Sequence, residues 1–234
     1  MGSTWSVEER SGTAAELHAS WSPADLRHRT VARCRVTAPA VVLGSTQRPE
    51  VVDAVAAGRS GLGVVRRRSG GGAVLVAPGD PVWIDAWVPR GDRWWDDDVT
   101  RAFEWMGAAW TRALGSLGCP GLVAHRGAYA ACTRWSSLIC FGGVGTGEVV
   151  TDDGRKVVGI AQRRTRDGAW FHSACVLRWA PDPLLDVLDL PAPEREAARA
   201  DLGRAATGLL DIVPSGGAGL DATTVEAAFL RALP

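Results

Sequence analysis

Of the 26 basic residues in this chain only one is a lysine, Lys156, in the run Asp153-Gly154-Arg155-Lys156-Val157-Val158-Gly159-Ile160-Ala161-Gln162. Where arginine supplies every other positive charge, the surviving lysine is a candidate for work a guanidinium cannot do. An ammonium is a compact point charge that reaches into a narrow pocket and meets an oxygen end-on, whereas arginine is a planar fork. The plain alternative is a residual lysine on an exposed strand. A second candidate is the loop Arg66-Arg67-Arg68-Ser69-Gly70-Gly71-Gly72-Ala73. Three successive glycines let backbone N–H groups approach a ligand closely, and the adjoining arginines make an anion cradle. No Gly-Lys-Ser/Thr follows, so this is not a Walker A loop, and the spacing excludes a dinucleotide fingerprint.

Cys140 precedes the small-residue stretch Phe141-Gly142-Gly143-Val144-Gly145-Thr146-Gly147, which leaves room beside a thiol. A cysteine nucleophile acts as a thiolate, which a nearby cation such as Lys156 or His172 favours. The other four cysteines (Cys34, Cys119, Cys132, Cys175) read as small core hydrophobes. Alternating with the face that carries Lys156, Gly159 and Ala161 leave space for a slender acyl chain, unless their smallness only serves sheet packing. Trp83, Trp87 and Trp135 are candidates for the cavity wall. His172 is either a base or a structural residue at a strand edge.

The elements that must position these groups alternate along the chain. Arg29–Val36, Ala40–Leu43, Gly63–Arg67, Val74–Val76 and Val82–Val88 read as strands, and Pro49 opens a helix through Ala57. In the fifth strand Val82, Ile84, Ala86 and Val88 share one face and Trp83, Asp85 and Trp87 the other. Pro78-Gly79-Asp80-Pro81 predicts a hairpin between the last two strands. Asp96 to Asp98 favour a helix N-terminus ahead of Val99, Phe103, Met106, Trp110, Ala113 and Leu117, which recur at helical spacing. Leu138–Phe141, Glu148–Thr151, Lys156–Gln162 and Ala169–Leu177 read as a second antiparallel set, with Asp153-Gly154 as a hairpin turn that puts Lys156 just inside a strand. Helices are expected at Pro183–Leu188, Glu194–Leu210 and Ala222–Leu233. The reading is a single α+β domain over residues 1–234: a mixed, largely antiparallel sheet backed by helices, with a motif core at about 40–180 and a C-terminal helical flank at about 181–234.

Composition narrows the function. The 26 acidic and 26 basic residues cancel, so there is no global field to capture nucleic acid or an anionic membrane. Five widely spaced cysteines with no C-x-x-C pair argue against a disulfide framework or a structural zinc, and no metal site is expected. With no apolar run of spanning length and no signal-peptide pattern at Met1 to Gly12, the expected compartment is the cytoplasm. Met1 to Ser6 also fits the short myristoylation pattern, which requires a eukaryotic host.

Taken together, Arg67-Arg68-Ser69-Gly70-Gly71-Gly72-Ala73-Val74 and, some eighty residues later, Gly154-Arg155-Lys156-Val157-Val158-Gly159-Ile160-Ala161-Gln162-Arg163 resemble the two motifs of the lipoate-protein ligase A family. Val41-Leu43-Gly44 and Gln47-Arg48-Pro49 resemble the strand and turn before the first motif. The resemblance spans roughly residues 40–180 and implies the fold shared with biotin-protein ligases, the biotin/lipoyl protein ligase-like fold. It also implies ligand contacts by Arg68, Ser69, Gly70, Gly71, Gly72 and Ala73, with Lys156 at the carboxyl end of a lipoyl group. Two departures bear on substrate choice. The His-Asp pair usual after the first motif is replaced by Leu75-Val76-Ala77-Pro78-Gly79-Asp80, and the usual N-terminal helix motif by Ala15-Glu16-Leu17-His18.

The activity implied is protein lipoylation, the attachment of a lipoyl or octanoyl group to a specific lysine of a lipoyl-domain protein. Two chemistries fit. A ligase uses ATP with magnesium to make an acyl-adenylate, and the Ser69-Gly70-Gly71-Gly72 form of the first motif resembles that branch. Cys140-Phe141 followed by Glu148 and the Lys156 motif resembles the cysteine-dependent octanoyltransferases, which need no cofactor and take octanoyl from acyl carrier protein onto the cysteine. A third reading is a non-catalytic lipoyl-binding accessory subunit. The acceptors implied are 2-oxoacid dehydrogenase E2 subunits and the glycine cleavage H protein. Lys156→Ala is expected to abolish transfer with the fold intact.

Overall fold

A computed structural model of the chain describes residues 5–20, 27–130, 132–213 and 219–234; Met1 to Thr4 of the myristoylation pattern lie outside them. In chain order the strands are β1 (Ser6–Gly12), β2 (Thr30–Val36), β3 (Ala40–Leu43), β4 (Gly63–Arg66), β5 (Val74–Val76), β6 (Val82–Pro89), β7 (Val123–Ala124), β8 (Val149–Val150), β9 (Lys156–Arg164) and β10 (Gly168–Cys175). The helices are α1 (Ala14–Ala19), α2 (Ala54–Arg59), α3 (Glu104–Ser116), α4 (Asp182–Leu185), α5 (Ala192–Ala205), α6 (Leu209–Ile212) and α7 (Ala222–Arg231). Seven strands form a large sheet in the order β1-β2-β6-β10-β9-β8-β7, and three form a small one, β4-β3-β5. Among the paired strands of the described residues, only β1 with β2 and β3 with β4 run parallel. The mixed, largely antiparallel sheet backed by helices is therefore what forms, and a small second sheet is added to it.

The period-2 pattern of the strands explains the layering. On one face of β6, Val82, Ile84, Ala86 and Val88 pack with Met106 and Trp110 of α3 and Phe229 of α7. On the other, Trp83 and Trp87 join Ala40 and Val42 of β3, Val76 of β5 and Ala14 and Leu17 of α1. The alternate residues of β3, Val41 and Leu43, face Leu184, Leu185, Ala198 and Leu202 of α4 and α5. Helices, large sheet, small sheet and helices thus stack in four layers, and the C-terminal flank divides between the two outer ones.

Three local expectations are corrected. The turn at 77–80 closes through reciprocal Ala77 and Asp80 backbone bonds but joins strands of different sheets, so it is a corner and not a hairpin. Asp80 holds it in place by accepting the N–H groups of Leu177 and Arg178 at 2.9 and 3.0 Å. Residues 138–141 are not a strand. They lead into a 3-10 turn at Cys140–Gly142 because Leu138 O and Cys140 N are taken by Ala73 at 2.8 and 2.9 Å, while Ser136 Oγ ties down Gly142 O at 2.7 Å. Finally, β8 to β10 are not a separate set, since β10 pairs with β6 along its whole length.

Candidate functional site

Lys156, the first residue of β9, is 1% exposed, which removes the exposed-strand alternative. Its Nζ donates to Glu148 Oε2 at 2.7 Å, to the Cys140 carbonyl at 2.9 Å and to the Gly143 carbonyl at 3.1 Å, and lies 3.8 Å from Cys140 Sγ. It also sits 5.0 Å from the centre of the Phe141 ring. The three short contacts match the three N–H bonds of an ammonium. Burial opposes the charge, but the Cys140 sulfur and the Glu148 carboxylate more than offset it, and the lysine is held above its ordinary pKa. Glu148 immediately precedes the two-residue β8. Where β8 stops pairing, Glu148 Oε1 takes the N–H of Ile160 at 2.9 Å, and Oε2 takes that of Gly145 at 2.7 Å.

In the glycine loop it is Arg67, not Arg68, that turns inward. The β4 strand ends at Arg66, and the Arg67 N–H bonds Leu43 O at 2.8 Å. Its buried guanidinium then donates to Gly70 O at 2.7 Å, Gly72 O at 3.0 Å and Val42 O at 3.3 Å. Burial lowers its pKa, partly offset by Cys140 and Glu148, yet a guanidinium stays charged. Gly71 has φ +98°, and a Cβ on Gly72 would lie 2.6 Å from Ile139 C and 2.7 Å from Cys140 N. The glycines thus press the loop against the cysteine-bearing turn. Arg68 is exposed, Ser69 is buried, and Ala73 packs in the core beneath α4 and α5.

Cys140, half-buried, stands at an apolar cleft between the two sheets, with about 490 Å³ of empty space, open mouth included. Val42, Val74 and Val76 of the small sheet line one side, and Gly159, Ala161 and Ala174 of the large sheet the other. A Cβ on Gly159 would stand 3.5 Å from Cys140 Sγ and 3.3 Å from the Lys156 Cε, so the glycine keeps that corner open. Trp83 lines the cleft; Trp87 and Trp135 are core residues.

His172 also lines the cleft, but its Nδ1 pairs with Asp85 Oδ1 at 2.7 Å, and no bond to Cys140 is formed. Asp85, 1% exposed, accepts the Trp83 indole N–H on the same oxygen at 2.5 Å. His18 lies against Trp83 at 4.7 Å and edge-on to His172 at 5.3 Å between ring centres. Burial, aided by His172, lowers its pKa to about 3, so the ring is neutral near pH 7. It is placed by α1, whose Thr13–Glu16 capping box closes the first turn. Asp85 and His18 were absent from the sequence-derived site, and Arg67 and Glu148 entered it only as members of motifs with no contact assigned to them. The capping pattern signals α1, and strand alternation puts Asp85 opposite the helix-packed face.

The fold is the one found in biotin and lipoate protein ligases. It is similar to a bi-partite lipoate protein ligase from Thermoplasma acidophilum, part of an archaeal lipoylation system with an E2 lipoyl domain (TM-score 0.75, 20% identity, 98% of this chain and 82% of that one). A lipoate-protein ligase A bound with ATP is similar at TM-score 0.67 and 20% identity, over 99% and 84% of the chains. Biotin protein ligase from Leishmania major in complex with biotin follows at 0.54 and 10%, over 97% and 72%. No curated protein matches the sequence. The chain belongs to the lipoyl protein ligase A/B catalytic domain family, whose model matches residues 18–233. Among the described residues no helix is long and apolar enough to cross a membrane.

Proposed function

We propose that residues 1–234 act as one catalytic unit that transfers a medium-chain acyl group, octanoyl or lipoyl, through Cys140 to a lysine of a lipoyl-domain protein. The observation that carries this reading is the pairing of Cys140 Sγ with the buried Lys156 ammonium, 3.8 Å apart, at the wall of an apolar cleft. The Cys140 thiolate attacks the thioester carbonyl of an acyl donor such as acyl carrier protein. A carbon–sulfur bond to Cys140 forms, the bond to the donor sulfur breaks, and the donor thiolate leaves and takes up a proton. The acceptor amine then attacks the Cys140 thioester, gives up a proton as the amide forms, and releases the Cys140 thiolate. A fixed positive charge beside the sulfur stabilises it as nucleophile and as leaving group. The acyl chain runs past Gly159 and Ala161 toward His172, while Arg67 and Gly70 to Gly72 hold the turn that carries Cys140.

The acceptors are lipoyl domains, with 2-oxoacid dehydrogenase E2 subunits and the glycine cleavage H protein as the candidates, and the compartment is the cytoplasm, in keeping with five free cysteines. An ATP-dependent ligase is the second reading, favoured by the ATP bound to a similar structure. Two of the three basic side chains beside the cleft are committed within the protein, which leaves Arg68 to meet a nucleotide phosphate. Lys156 has its three N–H bonds engaged, Arg67 is held by three carbonyls and Arg68 is exposed. Octanoyl-carrier protein should add one octanoyl mass to the enzyme, removable by hydroxylamine and absent in Cys140→Ala. ATP-dependent acceptor modification with no adduct from any thioester donor would overturn the cysteine mechanism.

A further inference from the structure

The chain carries as many acids as bases, 26 of each, but does not spread them evenly. No Asp or Glu occurs between Asp53 and Asp80, where Arg59, Arg66, Arg67 and Arg68 fall, or between Glu104 and Glu148, where Arg112, Arg126 and Arg134 fall. The fold brings these two acid-free stretches together around the turn that carries Cys140. Ala73 of the first holds the turn from one side, its N–H donating to Leu138 O at 2.8 Å and its carbonyl accepting from Cys140 N at 2.9 Å. The second folds back on the turn from the other side. Thr133 N and Ala130 N donate to Gly142 O and Val144 O at 3.0 and 2.8 Å, and the Tyr129 hydroxyl donates to Ser136 O at 3.4 Å. Cys140 thus has a basic border on both flanks.

The charge of that border is not spent inside the protein. Arg68, Arg126 and Arg134 are exposed, and none of them forms an ion pair among the described residues. The Arg134 guanidinium stands 4.3 Å from the centre of the Trp135 ring, which steadies it without neutralising it. Asp153 and Asp201 share a recess with Arg134 but are taken by Arg155 and Arg204, each at 2.8 Å. On the other flank Glu104 stands alone beside Arg112 and Arg126. Between Arg126 and Arg134 in the chain, Tyr129 is 61% exposed, with its hydroxyl end against Gly143. Tyrosine and arginine are among the side chains that dominate binding energy where two proteins meet.

On the reading that Cys140 takes its acyl group from a thioester, we propose that this border, centred on Arg126, Tyr129 and Arg134, is the docking surface for the acidic carrier protein that delivers the thioester. The sign of the charge selects the donor over the acceptor. A carrier's arm is joined to its protein through a phosphodiester, so the donor brings an anion towards the border as its thioester approaches Cys140. The acceptor brings a lysine, whose ammonium the same field repels.

The test compares donors with and without the carrier. Adduct formation on Cys140 is followed by intact mass with octanoyl-acyl carrier protein and with octanoyl-N-acetylcysteamine, which has the thioester but neither phosphodiester nor protein. Arg126→Glu/Arg134→Glu should lower the second-order rate with the carrier-bound donor about tenfold or more at low salt and leave the small donor within about twofold of wild type. Added salt should slow wild type with the carrier-bound donor and leave the variant little changed. Equal losses with both donors, an unchanged rate with the carrier-bound donor, or a defect confined to transfer from octanoyl-enzyme to a lipoyl domain would overturn the proposal. Binding of holo-acyl carrier protein is measured in parallel by fluorescence anisotropy. Salt-sensitive binding that is lost in the variant, in a protein that forms no adduct, would count against the Cys140 mechanism and leave the surface standing. Neither binding nor adduct in wild type would overturn the surface as well.

Discussion

Lys156→Met takes one charge out of a pair sealed inside the protein, and its cost follows from what remains. Glu148 keeps the N–H groups of Gly145 and Ile160 but loses its counter-ion at 2.7 Å, with its side chain 7% exposed. Breaking a buried pair from one side costs about 3–5 kcal/mol, whatever the intact pair contributes over an apolar replacement. The two surviving amide bonds favour the lower end, about 3 kcal/mol. For a chain of this size that is a fall in Tm of about 6–12 °C. Lost transfer in Lys156→Ala, with the fold expected to stay intact, must therefore be read against lost stability. Lys156→Met/Glu148→Gln, which leaves neither charge buried, should recover about 2 kcal/mol relative to the sum of the single changes. Urea unfolding followed by tryptophan fluorescence measures all four proteins. A Lys156→Met midpoint within about 0.5 kcal/mol of wild type, or strictly additive single changes, would refute the sealed pair.

The glycine loop and the cleft histidine give two further expectations. Gly72→Ala should lose about 2 kcal/mol or more, because its Cβ would meet the Ile139 and Cys140 backbone, whereas Gly70→Ala, with nothing within 4 Å, should stay within about 0.5 kcal/mol; equal losses in urea would show that the loop is not pressed onto the cysteine turn. His18 is held neutral in the fold down to about pH 3 but takes a proton in the unfolded chain near 6.5, so its contribution is intact above pH 6.5 and drains away as pH falls towards 3. His18→Leu should therefore lose up to about 4 kcal/mol less than wild type between pH 7 and pH 3.5, and parallel stability profiles for the two proteins would contradict it.

What was legible in the sequence is what depends on type and spacing along one segment. Cys140 and the small residues Gly159 and Ala161 line one cleft, and the lone lysine and Gly72 of the glycine loop stand against Cys140 behind it. The alternation in β6 fixed both of its faces, and Asp98 caps the turn before α3 through the N–H groups of Thr100 and Arg101. What was not legible depends on partners distant in sequence. Arg67 and Arg68 are indistinguishable by type, and only the phase with which β4 ends turns one of them inward. His172 is committed to Asp85, 87 residues away, by strand register alone. Residues 138–141 have strand-like composition, yet a single bridge to Ala73 and the glycines beyond bend them into a turn.

Because the cleft is walled by Val42, Val74 and Val76 from one sheet and Gly159, Ala161 and Ala174 from the other, its width is a distance between two bodies and not a property of either. A recess carved into one sheet changes only when its own lining changes. A gap at a seam also answers to whatever seats the sheets on each other, including Leu17, Ala32 and Trp170 in the layer between them, none of which lines the cleft. Substrate preference in this architecture can therefore drift through conservative repacking of interior positions that an inspection of the cleft lining would overlook.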